Sequence, residues 1–341
     1  MYFAIIDCGT TNSRVYIVNE KAEILGKATK KVGVKDTAIN GNNEVLKREL
    51  KNTFFTALDD ANMKLSDIKF IISSGMITSE IGLVEIPHIW APANFSELAK
   101  NIKKIQDTSI FPVNIPIYFI RGIKNKYDIQ NATIENVDKL DFMRGEETQI
   151  AGLLSIYNLK FPLTVIVLSS HTKFIPLDKD KNILGSITTV SGQVYEAILK
   201  ETFVGKSIRS DDNFDDENYL NEKIISIAYR CVKNTGFLRS LLMSRFMDTL
   251  LKTKWYDRKL FVESIIASES MKAMSQFESL NFPIETNYIL IGTKRRSLIY
   301  KHLLREKIGI RKDILTINDV KDIDMLSIKG SIFLAKIAKL L

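Results

Sequence analysis

Twice in this chain an apolar strand runs into a short polar turn and a second strand leaves at once. The first copy is Ile5-Ile6-Asp7-Cys8-Gly9-Thr10-Thr11-Asn12-Ser13-Arg14-Val15-Tyr16-Ile17-Val18. The second opens with Leu163–Leu168, LTVIVL, and turns through Ser169-Ser170-His171-Thr172-Lys173. It continues through expected strands at Phe174–Leu177 and Ile183–Thr188. A continuous β-branched run of this kind suits a central strand covered on both faces. Two similar β-rich halves, each with a polar turn after its leading strand, are able to close two lobes on one ligand. The length of 341 residues agrees, being too great for one ordinary core.

The turns themselves have a plain reading and a chemical one. Gly, Asp and Thr are ordinary turn residues, and most such hairpins carry no chemistry. Yet Gly9-Thr10-Thr11 gathers backbone N–H groups and hydroxyls in one small space, which suits phosphate oxygens. Asp7, at the strand end, suits Mg²⁺ held through water.

Composition removes several function classes. The net charge is +8 and the pI about 9.2, but basic residues are scattered among acids with no basic stripe carrying aromatics. The densest cluster, Lys294-Arg295-Arg296, reads as the start of a solvated helix. No nucleic-acid partner is expected. No run approaches the roughly 20 apolar residues of a membrane span, and the opening MYFAIIDCGT lacks the basic region of a signal peptide. The two cysteines, Cys8 and Cys231, lie far apart and fit no disulfide framework or metal spacing. A cytoplasmic protein without a membrane partner is the default.

Between the two turns, strands and helices alternate. Strands are expected at Tyr2–Asp7, Ser13–Val18, Ala22–Val32, Lys69–Ser73 and Ile115–Ile120, with helices at Asn43–Met63 and Phe95–Ile105. Phe142-Met143-Arg144-Gly145-Glu146-Glu147-Thr148-Gln149 opens a further helix, with two acids in its first turn where the helix dipole favours them. Ser191-Gly192-Gln193 opens another. Residues 203–218 read as an exposed acidic loop, 219–277 as a helical block, Tyr288–Ile291 as a last strand closed by Gly292-Thr293, and Leu326–Leu341 as a packed helix.

Four turns, DCGTTNSR, MRGEETQ, SSHTK and LIGT, now stand in an order that resembles the acetate kinase, sugar kinase, Hsp70 and actin superfamily. Within it the chain is most similar to the 2-dehydro-3-deoxygalactonokinase family. Asp7–Arg14 resembles that family's D-W-G-[ST]-[ST]-N-x-R, and Met143–Gln149 is the closest match. Ser74-Gly75-Met76-Ile77-Thr78-Ser79 resembles its S-G-M-[IV]-G-S. Glu85-Ile86-Pro87-His88 and Ala91-Pro92-Ala93 resemble its E-A-P-Y and C-P-A, and Val190-Ser191-Gly192-Gln193 its M-T-G-E. Departures are visible too. The family's P-G-T-H-S-K-W becomes Leu168-Ser169-Ser170-His171-Thr172-Lys173-Phe174, so Pro and Gly are gone while His171 and Lys173 remain. The family's G-[ST]-x-x-L-x-x-R-Y becomes Gly292-Thr293 with a shifted Arg and Tyr300. Thr78 and His88 stand where the family has Gly and Tyr.

The resemblance implies an α/β, two-lobed actin-like ATPase fold of ribonuclease H type, with a nucleotide cleft between lobes. The N-terminal lobe would span 1–158, completed by the 322–341 helix, and the C-terminal lobe 159–321. It implies an ATP-dependent kinase, using Mg²⁺ with ATP, that converts 2-dehydro-3-deoxy-D-galactonate or a close relative to its 6-phosphate. Asp7 would lie at the metal and act in catalysis, with Glu147, and behind it Glu146, as the base. Gly9, Thr10, Thr11, Asn12, Ser169, Ser170, His171, Lys173, Gly292 and Thr293 would bind the nucleotide and its phosphates. Arg14, Gly75, Met76, Ser79, Arg144 and Gly192 would bind the sugar acid, Arg144 through its carboxylate. The partners are the sugar acid and ATP, with a homodimer left open. Two rival readings stay in view. One is a phosphohydrolase of the exopolyphosphatase type. The other is a nucleotide- or sugar-binding regulator without catalysis, which the altered LSSHTKF turn motivates.

Overall fold

The structure is a computed structural model describing residues 1–341 other than 211 and 213. The chain divides into two compact units. The first comprises Met1–Leu159, Asn182–Gly185 and Asp324–Leu341; the second comprises Lys160–Lys181 and Ser186–Ile323.

In the first unit, strands β1 (Tyr2–Cys8), β2 (Ser13–Asn19), β3 (Ile24–Lys30) and β4 (Ile68–Gly75) precede short strands β5 (Ile89–Trp90), β6 (Lys103–Ile105), β7 (Ile117–Phe119), β8 (Ile123–Lys124) and β9 (Phe142–Met143). The main sheet runs β3-β2-β1-β4-β7-β6, and β5-β8-β9 form a small second sheet. β1 pairs antiparallel with β2 and parallel with β4. Phe3–Ile6 are fully buried, as a central strand covered on both faces requires. Helices α1 (Val34–Asn40), α2 (Glu44–Asp60), α3 (Phe95–Lys100) and α4 (Glu146–Ile156) belong to this unit. α2 turns Leu46, Leu50, Phe54, Ala57 and Leu58 inward at helical spacing, into a core shared with Ile6, Val15, Ile17 and Ile71.

In the second unit, β10 (Leu163–Leu168), β11 (Thr172–Leu177), β12 (Ile187–Thr189), β13 (Asn287–Gly292) and β14 (Ile314–Ile317) form a sheet in the order β12-β11-β10-β13-β14. β10 repeats the arrangement of β1: antiparallel to the next strand, parallel to a later one. Helices α5 (Ser191–Glu201), α6 (Phe203–Ile208), α7 (Glu222–Thr235), α8 (Phe237–Thr249), α9 (Trp255–Met271) and α10 (Lys294–Leu303) follow or interleave. Ala228, Val232, Val262 and Ile265 are central to a second core.

The last helix, α11 (Val320–Ile337), returns the chain to the first unit. It crosses α4 at two glycines. A Cβ on Gly330 would sit 1.8 Å from the Thr148 carbonyl oxygen, and one on Gly152 would sit 2.0 Å from that of Leu326. Backbone meets backbone there, which only glycine permits.

Several expected elements differ. The helix expected at Phe95–Ile105 stops at Lys100, and Lys103–Ile105 instead pairs antiparallel with β7. The sheet edge takes up the backbone, and a short, lysine-bearing strand is a normal way to end a sheet. Ile183 does not open β12; it forms a bridge with Ala93 in the first unit. Phe203–Ile208 is helical, not loop, while Asp211 and Asn213 of that expected loop lie outside the described residues. α1 and β14 were not expected at all. Among the described residues no helix is long and apolar enough to cross a membrane.

Candidate active site

β1 ends by delivering Asp7 beside two neighbours fixed by register. Arg14 of β2 lies opposite it and Ser74 of β4 beside it. Arg14 Nη1 is 3.9 Å from Asp7 Oδ2, and Arg14 Nε is 3.5 Å from Asp324 Oδ1 on α11. One guanidinium thus faces two carboxylates. Burial raises the Asp7 carboxyl above its ordinary value; Arg14 opposes that, the Asp324 charge adds to it, and the Ser327 hydroxyl opposes it. Asp324 is a residue the sequence reading missed. Its acid sits at the start of a helix more than 300 residues away, and only the return of α11 brings it here.

The Gly9–Asn12 turn closes with Gly9 N–H donating to Asn12 O at 2.9 Å. Its carbonyls are held from outside: Val34 N–H donates to Gly9 O at 3.2 Å and Lys35 N–H to Thr10 O at 2.9 Å. The unexpected helix α1 therefore fixes which way this turn faces. Gly75 sits at φ +89°, and a Cβ there would lie 2.5 Å from the Cys8 carbonyl oxygen and 3.4 Å from Asp7 Oδ1. Gly145, at φ +111°, would bring a Cβ within 3.3 Å of Gly75 Cα. Gly75 thus packs against Asp7 on one side and against Gly145, at the head of α4, on the other.

Within that turn the two glutamates differ. Glu147 is fully buried, and both its carboxylate oxygens accept from Gly145 N–H at 2.8 Å, with Thr148 Oγ1 at 3.3 Å. Its carboxyl is pushed up to about 8, chiefly by burial and then by the Glu146 charge, against the Gly145 amide and Arg144. Glu146 retains partial exposure. Glu147, the expected base, is therefore folded back to hold the turn. Arg144 also differs from expectation. It is 9% exposed, and its guanidinium donates to Thr78 Oγ1 at 2.7 Å and Ile86 O at 2.9 Å, with His88 Nδ1 at 3.4 Å. It ties the turn to the 76–88 segment instead of opening toward a carboxylate. The Thr78 and His88 departures supply two of those partners. Ser79 is buried too, its hydroxyl donating to Met76 O at 2.7 Å; Met76 stays half-buried.

In the second unit, Ser169 and Ser170 are exposed and His171 half-buried. Ser169 Oγ donates to His171 O at 2.9 Å, and Gln193 N–H donates to Ser170 O at 3.0 Å. Lys173 is nearly buried, its Nζ donating to Thr188 Oγ1 at 2.8 Å. Gly192, expected at the sugar acid, instead packs on this turn: a Cβ there would be 2.3 Å from Ser169 O. Gly292 lies beside Leu168, where a Cβ would approach to 2.7 Å of the leucine's own Cβ, and Asn318 Nδ2 donates to Gly292 O at 2.9 Å. Thr293 is exposed at the start of α10. Ser169–Lys173, Gly192 and Gly292 are thus one assembly within the second unit.

Of the Lys294-Arg295-Arg296 cluster only Lys294 is exposed, and the two arginines are engaged by the protein. Arg295 pairs with Asp216 and with Glu263, Nε to Oε2 at 2.6 Å. Arg296 turns the other way, donating to Leu168 O at 3.2 Å and Ser169 O at 2.8 Å; Thr172 Oγ1 lies at 3.4 Å and Ser191 Oγ at 3.2 Å. The shifted arginine was the only sequence signal for it.

Comparison with known proteins identifies the family and the fold. A curated relative from Rhizobium meliloti (strain 1021), carrying the name 2-dehydro-3-deoxygalactonokinase, is 26% identical over 213 residues, 62% of this chain and 61% of the relative. One from Escherichia coli (strain K12) with the same name is 24% identical over 147 residues, 43% of each chain. The chain thus matches less than two thirds of the length of either relative. Among solved structures, a Sinorhizobium meliloti protein of that name superposes with a TM-score of 0.71 at 20% identity, covering 100% of this chain and 97% of that one. An activator of 2-hydroxyisocaproyl-CoA dehydratase from Clostridium difficile, solved with bound ADPNP, gives 0.51 at 14% identity, covering 100% and 96%. At these identities the likeness concerns the fold, which is the α/β actin-like ATPase fold. The model of the family described as 2-keto-3-deoxy-galactonokinase matches residues 7–321. That span runs from Asp7 of the first turn past Gly292 of the last, and the chain belongs to the 2-keto-3-deoxy-galactonokinase family.

Proposed function

We propose that this protein is an ATP-dependent kinase that phosphorylates the primary hydroxyl of a 2-dehydro-3-deoxy sugar acid, 2-dehydro-3-deoxy-D-galactonate giving the 6-phosphate. The carrying observation is the packing of Gly75 against both Asp7 and Gly145 in a chain that matches the family model over nearly its whole length. Phosphoryl transfer asks mainly for positioning and charge neutralisation.

In this reading Asp7 faces the ion that accompanies ATP. A carboxylate held above its ordinary pKa by burial, with a second acid sharing its arginine, fits a hard dication. Among the described residues no group of three or more His, Cys, Asp or Glu side chains is suited to a metal. Mg²⁺ arriving with ATP would be held on the protein side by Asp7 and would supply charge neutralisation at the phosphates. Arg14 holds Asp7 in place. Glu146, a partly exposed residue whose Oε2 is buried, takes the proton of the attacking hydroxyl, and Glu147 braces the Gly145 amide beside it. The Ser169–Lys173 turn receives phosphate, and Gly292-Thr293 the nucleoside. Two free thiols, one of them buried, support a cytoplasmic setting.

The test is ADP release by the purified full chain supplied with MgATP and a panel of 3-deoxy sugar acids. Turnover is expected with one acid, dependent on Mg²⁺, and reduced at least about 100-fold by Asp7→Asn, since positioning and neutralisation provide most of the rate. Unchanged activity in Asp7→Asn would defeat the assignment. Phosphate release from polyphosphate without an acceptor would favour hydrolysis instead.

A further inference from the structure

The second turn of this chain lacks the Pro-Gly pair that shapes it in the pattern it resembles, and Ser169 and Ser170 stand there instead. Serine neither fixes φ as proline does nor removes the Cβ as glycine does. From within, the turn is held at Ser169, whose N–H and Oγ both donate to His171 O, and the rest of its shape depends on what grips it from outside. The side chain that reaches it is Arg296, in the first turn of α10. Its guanidinium has four neutral oxygens around it: the carbonyls of Leu168 and Ser169, the hydroxyl of Thr172, and that of Ser191. Thr172 and Ser191 are themselves joined, hydroxyl to hydroxyl, at 2.6 Å. One planar group thus links the end of β10, the start of β11, the start of α5 and α10.

We propose that Arg296 is the positioning residue of the Ser169–Lys173 phosphate turn, doing from outside what Pro-Gly does from within. This rests on the kinase reading above. Two features give it content. First, the carbonyls of Leu168 and Ser169 are drawn toward Arg296 while Gln193 N–H holds Ser170 O, so three successive carbonyls at this turn are each gripped from outside it and its orientation is set by those grips. The first turn is held the same way, with Val34 and Lys35 amides taking its carbonyls. Second, Arg296 differs from its neighbour. Arg295 is neutralised by Asp216 and Glu263, whereas the acceptors of Arg296 carry no formal charge. Its positive charge remains available to stabilise a bound triphosphate through the turn. Lysine cannot replace it, because an ammonium lacks the planar fork that spans several acceptors at once.

The experiment is calorimetric titration of the full chain with ATP and, separately, with adenosine, which has no phosphate. Arg296→Ala is expected to weaken ATP binding at least tenfold while adenosine changes less than twofold. Arg296→Lys is expected to recover less than half of the loss on a logarithmic scale, and millimolar guanidinium ion to restore ATP binding to Arg296→Ala but not to alter the parent protein. Should the alanine variant fail to fold by circular dichroism, Arg296→Gln and Arg296→Lys report the same ATP-to-adenosine ratio. Unchanged ATP affinity, or equal losses for ATP and adenosine, would overturn the proposal. A parent protein that binds no ATP would overturn it together with the kinase reading. A parent that binds ATP but phosphorylates no sugar acid would refute only the substrate assignment, with the Arg296 ratio still decisive.

Discussion

Glu146 and Glu147 are adjacent, identical in chemistry and opposite in placement. Glu147 is buried and bonded to the Gly145 amide, and Glu146 keeps part of its surface. Their substitutions should separate accordingly. Glu146→Gln is expected to lower kcat by about 100-fold or more with a small change in KM, the usual contribution of a general base. Glu147→Gln keeps an oxygen for the Gly145 amide and is expected to cost far less; steady-state kinetics on both variants decides, and the reverse ranking would return the base to Glu147. Stability gives an independent reading. Glu147 titrates at about 8 in the folded chain against 4.5 ordinarily, so the fold favours its protonated form. Its contribution is complete below about pH 4.5 and is lost as pH rises to about 8. The melting temperature of Glu147→Gln, measured against the parent, should therefore climb between pH 5 and pH 8.5. A difference that stays flat with pH would show the carboxyl is not titrating there. The neighbouring Arg144 marks a limit of sequence reading. Its type suits a carboxylate ligand, but the chain gives no sign of which way the side chain turns, and Thr78 and Ile86 are nearer partners.

At the scale of elements, long apolar runs were legible and short or context-bound ones were not. LTVIVL is buried at every position, as its continuous β-branched run leads one to expect of a central strand. Ile314–Ile317 is four residues long and makes sense only beside β13, which the sequence does not announce. Lys103–Ile105 likewise became a strand because β7 offered an edge. The crossing of α4 and α11 is the element-level feature with the sharpest consequence. Gly330→Ala places a methyl 1.8 Å from the Thr148 carbonyl oxygen, so the helices must separate. Overpacking of this kind costs about 1–3 kcal/mol. A fall in melting temperature of several degrees is expected, at roughly 2–4 °C per kcal/mol for a unit of this size. An unshifted transition in calorimetry would mean the helices slide past the added methyl at no cost.

For the molecule as a whole, each unit has its own main sheet and its own core. Thermal unfolding of such a chain need not be two-state. A ligand that binds only the folded form stabilises it by mass action, about 2.7 kcal/mol at a hundredfold excess over Kd. MgATP is therefore expected to raise the transition by several degrees, and addition of the correct sugar acid to raise it further; a panel in which no acid adds to the MgATP shift would count against the substrate class. The two-unit plan was legible because the strand–turn–strand unit is repeated. The contribution of Asp324 and Arg296 was not, since both act across long stretches of sequence on residues they do not resemble.

The path of α11 has a consequence for how the protein is made. The first unit has most of its residues by Leu159, but its Gly152 face waits for the partner helix that begins the closing segment at Asp324. During translation the second unit must emerge entirely in between. The nascent first unit therefore passes through synthesis with an unfilled groove along α4 until the α11 residues from Asp324 onward have emerged to fill it.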